Sequence, residues 1–278
     1  MQKIKTKCRV TLSILGFIII TNLSFAQNTS VNKSIGNVFV TDAGSAFNVS
    51  IATFKQPFEF TKGDWLVVGA IAGGTALLFT VDKNIKNFSL SNQTSLNDKI
   101  FNFDSFYGNG YTALFTTGLY GVGLFSDNHE IRELGLHASE AFIISGLVTG
   151  ILKVIIGRRR PYAGDDHLVF KPFQLTNNDY HSLPSGHTTV AFAVSTVVAH
   201  YLENVYWKIF WYGAAGMVGL SRIYNNQHWA SDVFLGAAIG YFVGEFVVDF
   251  NAEKNSELSS IKISPIISFN KIGLNLSF

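Results

Sequence analysis

The stretch "SRIYNNQHWASD", residues 221–232, joins two strongly apolar segments and sets an arginine, a histidine and an aspartate at the junction. Read as the end of one helix and the start of the next, it decides the fold. Asn225 or Asn226 can cap the second helix. His228 and Asp232, four apart, then fall on one helical face and can hydrogen-bond.

Working outward, six apolar segments of helical length lie near residues 65–81, 111–125, 138–156, 188–202, 206–220 and 233–248. They predict an all-α fold, a six-helix bundle. Polar connections separate the segments, the longest being 83–110 and 162–183. Residues 38–60 hold short apolar runs ("NVFV", "FNVSIATF") broken by Gly44 and Pro57, and read as loop or strand. In the tail, 261–278, Ile272, Leu274, Leu276 and Phe278 alternate with polar or small residues, which predicts a strand. The expected organisation is a signal (1–26), an N-terminal extension (27–62), the helical domain (63–252) and a strand-like tail (253–278).

Composition narrows the class. Of 278 residues, 47% are hydrophobic and 14% charged, about half the usual charged share. That balance fits a membrane domain or an unusually apolar bundle. A formal net charge of +2 leaves no basic field to attract nucleic acid. Lys3, Lys5, Lys7 and Arg9 precede an apolar core at 12–20, and Ser24-Phe25-Ala26 offers small residues to a signal peptidase. Cleavage is expected before Gln27, an uncleaved anchor helix being the alternative. Cys8, the only cysteine, would leave with the signal, so no thiol or disulfide chemistry is expected in the mature chain.

Two further motifs sit at helix ends. In "KVIIGRRRP", Gly157 is a natural helix stop, so Lys153 falls in the last turn and Arg160 in the exit loop. In "PSGH", Ser185 and Gly186 open a helix whose first N–H groups form an anion site beside His187. If the helices alternate in direction, all three motifs meet at one pole of the bundle. Gathered there are the cations Lys153, Arg160 and Arg222, two histidines, one carboxylate and a helix N-terminus. Phosphoryl transfer needs such a set: fixed positive charge for the equatorial oxygens, a nucleophile in line, and a proton donor for the leaving group. Other features carry less. "GVG" at Gly121, and Gly236, Gly240 and Gly244 at spacing four, read as helix packing. His129-Glu130 and Asp165-Asp166-His167 lack a metal-site pattern.

"KVIIGRRRP", "PSGH" and "SRIYNNQHWASD" together resemble the three-part signature of the type 2 phosphatidic acid phosphatase superfamily, which also includes bacterial acid phosphatases and vanadium haloperoxidases. The resemblance is complete at the signature positions between residues 153 and 232, and weaker in helix pattern over about 65–250. It implies that His228 is a nucleophile forming a phosphohistidine, that Asp232 fixes its tautomer, and that His187 protonates the leaving oxygen and then activates water. Lys153, Arg160, Ser185, the Gly186 N–H and Arg222 would cradle the phosphoryl oxygens, with neither metal nor cofactor. The implied substrate is a lipid phosphate or diphosphate in the bacterial envelope. A soluble periplasmic acid phosphatase, a vanadate-dependent haloperoxidase and a degenerate membrane scaffold are the alternatives.

Topology is less simple. A cleaved signal places the new N-terminus in the periplasm, and six full spans would then carry the site to the cytoplasm. The segments are short for spans and include Glu140, His200, Lys208 and Glu245. The expectation is an exported, periplasm-facing bundle against a membrane, in which some or all helices do not cross. An integral inner-membrane protein and outer-membrane association are the other possibilities.

Overall fold

The computed structural model describes residues 35–260, 262–268 and 271–277; the signal read at 1–26 lies outside the described residues. The fold is all-α. Nine α-helices run in chain order among the described residues: α1 (Ile35–Lys55), α2 (Lys62–Phe79), α3 (Asp82–Ser91), α4 (Ser95–Ile100), α5 (Gly110–Phe125), α6 (His129–Ile156), α7 (Gly186–His200), α8 (Val205–Tyr224) and α9 (Ala230–Ser260). All six apolar segments are helices, and three more join them, so the expected count of six is too low. The connection 83–110, read as loop, contains α3, α4 and a 3-10 turn, Phe103–Ser105. Strands β1 (Lys262–Ser268) and β2 (Lys271–Ser277) pair antiparallel, as the alternation in the tail predicts.

The strand-or-loop reading of residues 38–60 is overturned: they form α1 and a 3-10 turn, Gln56–Phe58. The helix is inverted relative to the usual amphipathic pattern. Its buried side carries Asp42, Ser45 and Val49, whereas Phe39, Phe47, Ile51 and Phe54 are exposed. Tyr120 Oη donates to Asp42 Oδ2 at 2.9 Å, and Ser45 Oγ donates to Asn251 Oδ1 at 3.2 Å. A search for apolar residues on the inward face misses such a helix.

Helix starts follow local capping chemistry. Thr61 and Asp64 form a capping box at α2, and Asn109, Asn128 and Asn204 cap α5, α6 and α8 through their side chains. Gly157 ends α6 in the left-handed region (φ 62°). A Cβ there would overlap the Lys171 carbonyl, so only glycine permits both the dihedral and the close approach.

α7 is the hub. It buries Val190, Ala191, Ala193, Val194, Val197 and Val198 together with the hydroxyls of Thr188, Thr189, Ser195 and Thr196. Around it pack Leu134, Ala138, Ala141 and Ile144 of α6, Trp211 of α8, and Val243 and Val247 of α9. Gly236, Gly240 and Gly244 make the α9 contact possible, because a Cβ on each would run into Ser185, Thr189 or Thr196. Since α7 and α9 both begin at the same pole, this groove fixes the height of Ser185 against Asp232: Ser185 N donates to the Asp232 carbonyl at 3.0 Å. Among the described residues three helices, α2, α6 and the 230–253 part of α9, are long and apolar enough to cross a membrane.

Candidate active site

Four helix ends and one loop build the site. The chain leaves α6 at Gly157 and returns to α7 through residues 158–185. A short ladder, Arg159 N to Val169 O (2.9 Å) and Lys171 N to Gly157 O (2.7 Å), holds that excursion in place. Lys153 Nζ reaches into it, donating to the His181 carbonyl at 2.5 Å. Arg160 Nη1 donates to Gln227 Oε1 (3.1 Å) and Nη2 to Asn178 Oδ1 (3.0 Å). Arg222, at the end of α8, donates through Nη1 to Asp104 Oδ2 (2.6 Å), and its Nη2 lies 3.4 Å from the same Gln227 oxygen. The stretch 225–229 is a turn and not part of a helix; α9 begins at Ala230. The expected Asn cap is therefore replaced: Asp232 Oδ2 accepts the Trp229 N–H at 2.8 Å.

Electrostatics link these groups. Burial, then the Lys153, Arg160 and Arg222 cations, hold His228 well below the ordinary imidazole range. Burial, then the Arg222 guanidinium, push His187 down to about 4. Burial and the adjacent Arg222 lower Arg160 too. Three cations thus gather at one pole, where Asp104 pairs with Arg222. Arg160 Nε and Arg222 Nε are buried without a hydrogen-bond partner among the described residues. The Ser185 side chain does not cap the N–H groups of α7; its Oγ hydrogen-bonds Thr188 Oγ1 at 2.9 Å instead. The first N–H groups of α7 keep their donor capacity. A Cβ on Gly186 would lie 3.6 Å from Lys153 Cε, so the cation sits directly over the glycine. The arrangement can bind a tetrahedral oxyanion from several sides.

One expected contact is not formed. His228 Nδ1 and Asp232 Oδ2 are 3.6 Å apart, too far for a hydrogen bond, and Nδ1 is buried without a partner among the described residues. The cause is local. His228 precedes α9, so the pair lacks full helical spacing, and Oδ2 already accepts from Ser182 Oγ (2.5 Å) as well as Trp229 N.

The structure brings Lys153, Arg160, Ser185, Gly186, His187, Arg222, His228 and Asp232 to one pole and adds residues that sequence reasoning missed. Asp104 and Gln227 hold the two arginines. Arg158 and Asp82 form a buried network with Asp232 and Ser231. Only Arg158 left any trace, as the first position of a three-residue run; a lone Asp82 or Asp104 has no spacing to mark it.

Residues 134–256 match the PAP2 superfamily. The chain is similar to a lipid A 1-phosphatase of Porphyromonas gingivalis, 27% identical over 244 residues, 84% of this chain and 48% of that protein. It is also similar to a lipid A 1-phosphatase of Rhizobium johnstonii, 30% identical over 109 residues, 38% of this chain and 43% of that protein. The chain thus spans less than half the length of these curated relatives. The crystal structure of a transmembrane PAP2-type phosphatidylglycerolphosphate phosphatase from Bacillus subtilis superposes with a TM-score of 0.52 at 22% identity, covering 66% of this chain and 95% of that one. Over residues 134–256 the helical domain of this chain is thus similar to the PAP2 superfamily, the family that the three helix-end motifs resemble. With its three membrane-length helices, the chain is membrane-associated.

Proposed function

We propose that this chain is a metal-independent phosphatase that hydrolyses a lipid phosphate or diphosphate monoester through a phosphohistidine. The observation that carries it is the buried, neutral His228 beside three cations, two of which keep unpaired Nε donors. With Nδ1 turned toward Asp232, the His228 lone pair on Nε2 attacks phosphorus and the P–O bond to the lipid breaks. His187 gives its proton to the departing oxygen, then takes one from water, whose oxygen attacks phosphorus and frees phosphate and neutral His228. Lys153, Arg160 and Arg222, with Ser185 and the Gly186 N–H, hold the equatorial oxygens and supply the positive charge that a metal supplies in other phosphatases. The lipid A 1-phosphatase relatives support a lipid phosphomonoester as the substrate class, and the membrane-length helices weigh against the soluble acid phosphatase reading. The protein is exported to the cell envelope, with its catalytic pole toward the periplasm and a membrane surface as its partner. Phosphate release from lipid A, phosphatidate, a polyprenyl diphosphate and an aryl phosphate tests this reading. Turnover of a lipid monoester, blocked by vanadate as a mimic of the trigonal-bipyramidal transition state and unaffected by EDTA, is expected. Activity lost in EDTA and restored by a divalent metal contradicts the mechanism.

A further inference from the structure

Arg158 and Arg160 stand two apart in one basic run, yet their donors are used in opposite ways. Arg158 is wholly buried and spends all five N–H donors within the protein. Nε and Nη2 reach the His167 carbonyl at 3.0 and 2.9 Å. Nη2 also donates to Asp82 Oδ2 at 2.8 Å. Nη1 donates to Ser231 Oγ and Asp232 Oδ1, both at 2.6 Å. The Phe79 ring covers the guanidinium, its centroid 4.3 Å away. No donor remains for a substrate oxygen, whereas Arg160 and Arg222 each keep an unpaired Nε among the described residues.

What the fork does hold is the carboxylate beside the histidine. Asp82, the first residue of α3, accepts the Ser231 N–H at 2.9 Å and so grips the first turn of α9 from outside. Arg158 bridges from Asp82 to Asp232 and occupies Oδ1, which leaves Oδ2 as the oxygen turned toward His228 Nδ1, 3.6 Å away. Two carboxylates against one guanidinium also leave one net negative charge next to a ring that becomes cationic during phosphoryl transfer.

We propose that Arg158 is a positioning residue: with Asp82 it fixes the rotation of the Asp232 carboxylate and so keeps the His228 lone pair on Nε2. This rests on the phosphohistidine reading above. Lysine cannot replace the planar fork, because one ammonium cannot serve both carboxylates and Ser231 in fixed directions. With p-nitrophenyl phosphate as substrate and the full chain in detergent, Arg158→Lys is expected to lower kcat tenfold or more while KM moves less than twofold. In an Asp232→Asn background the same substitution changes kcat by less than twofold, since the group it orients has lost its role. Arg160→Lys, by contrast, raises KM in both backgrounds. Asp82→Asn is the milder second variant and follows the pattern of Arg158→Lys. An equal loss in both backgrounds, a rise in KM alone, or failure of both variants to fold would make Arg158 a structural or phosphate-binding residue and overturn the proposal. A wild-type chain without phosphohydrolase activity removes the underlying reading instead; an active wild type with an additive cycle removes only the fork.

Discussion

His228 and His187 must hold opposite protonation states in the same field of cations. The depressed affinity of His228 for protons suits a nucleophile, which needs its lone pair. In the proposed mechanism His187 must carry a proton to the leaving oxygen, yet burial first, and then the Arg222 guanidinium, push it down to about 4. A bound phosphoryl dianion offsets that positive field, though not the burial, so His187 is expected to hold its proton more tightly in the complex. The alkaline limb of kcat, which reports the complex, should therefore lie above that of kcat/KM, which reports the free enzyme, by about one pH unit or more. Coincident limbs would show that the acid is not a group whose charge the phosphate relieves. His228→Ala should abolish turnover, and retention of a tenth of the activity would mean that another group is the nucleophile. Asp232→Asn should cost less, because the ring remains and only its tautomer is no longer enforced. The proposed residues were legible because each stands at a fixed spacing inside a helix-end motif. Arg158, Asp82 and Asp104 were not, because their partners lie 76 or 118 positions away, a distance that no local pattern encodes.

The two elements that carry the proposed site, α7 and α9, are held in register by three glycines and by the Ser185 N–H to Asp232 carbonyl hydrogen bond. Gly240 is the critical one: an added Cβ would run into the Thr189 carbonyl and crowd Phe192 Cβ, and a backbone oxygen of α7 cannot swing aside. Gly240→Ala should cost about 1–3 kcal/mol, as overpacking does. It should also lower kcat, because any slide of α9 moves Asp232 relative to Ser185. Gly73→Ala, where the added methyl meets nothing within 4 Å, is the control and should leave turnover unchanged and thermal stability equal or slightly raised, because alanine favours the helix. Equal melting temperatures for the two variants would show that the α7–α9 groove tolerates expansion. The glycine spacing was readable as a packing surface, and the apolar runs were readable as helices. α1 was not, because its contact face is made by Asp42 and Ser45 and its apolar stripe faces outward. A period-3.6 pattern is present there, but it marks the side away from the protein.

At the scale of the molecule, the three membrane-length helices agree on one point: α2 ends, α6 ends and α9 begins at the catalytic pole. Asp82 follows α2, Lys153 closes α6 and Asp232 opens α9, all in the network around the site. At 28 residues α6 is about 42 Å long, more than the hydrocarbon thickness of a bilayer. If these helices cross, the catalytic pole and the 126–128 turn lie on opposite sides. α1 belongs to the far end, where Asp42 approaches Arg132 at 3.7 Å and Ser45 meets Asn251. A cleaved signal followed by crossing helices would therefore leave α1 outside and the site inside, whereas a bundle seated on the outer face of a membrane keeps both poles outside. The proposed reading places the catalytic pole in the periplasm. Alkaline phosphatase, active only outside the cytoplasm, should then be active when fused within residues 162–183. The same reporter at 126–128 separates the ways of achieving this: active there too, the bundle rests on the membrane without crossing; silent there, the helices cross and the N-terminal segment is not exported. A silent fusion at 162–183, with an active one at 126–128, would put the site in the cytoplasm and overturn the periplasmic assignment while leaving the chemistry of His228 untouched.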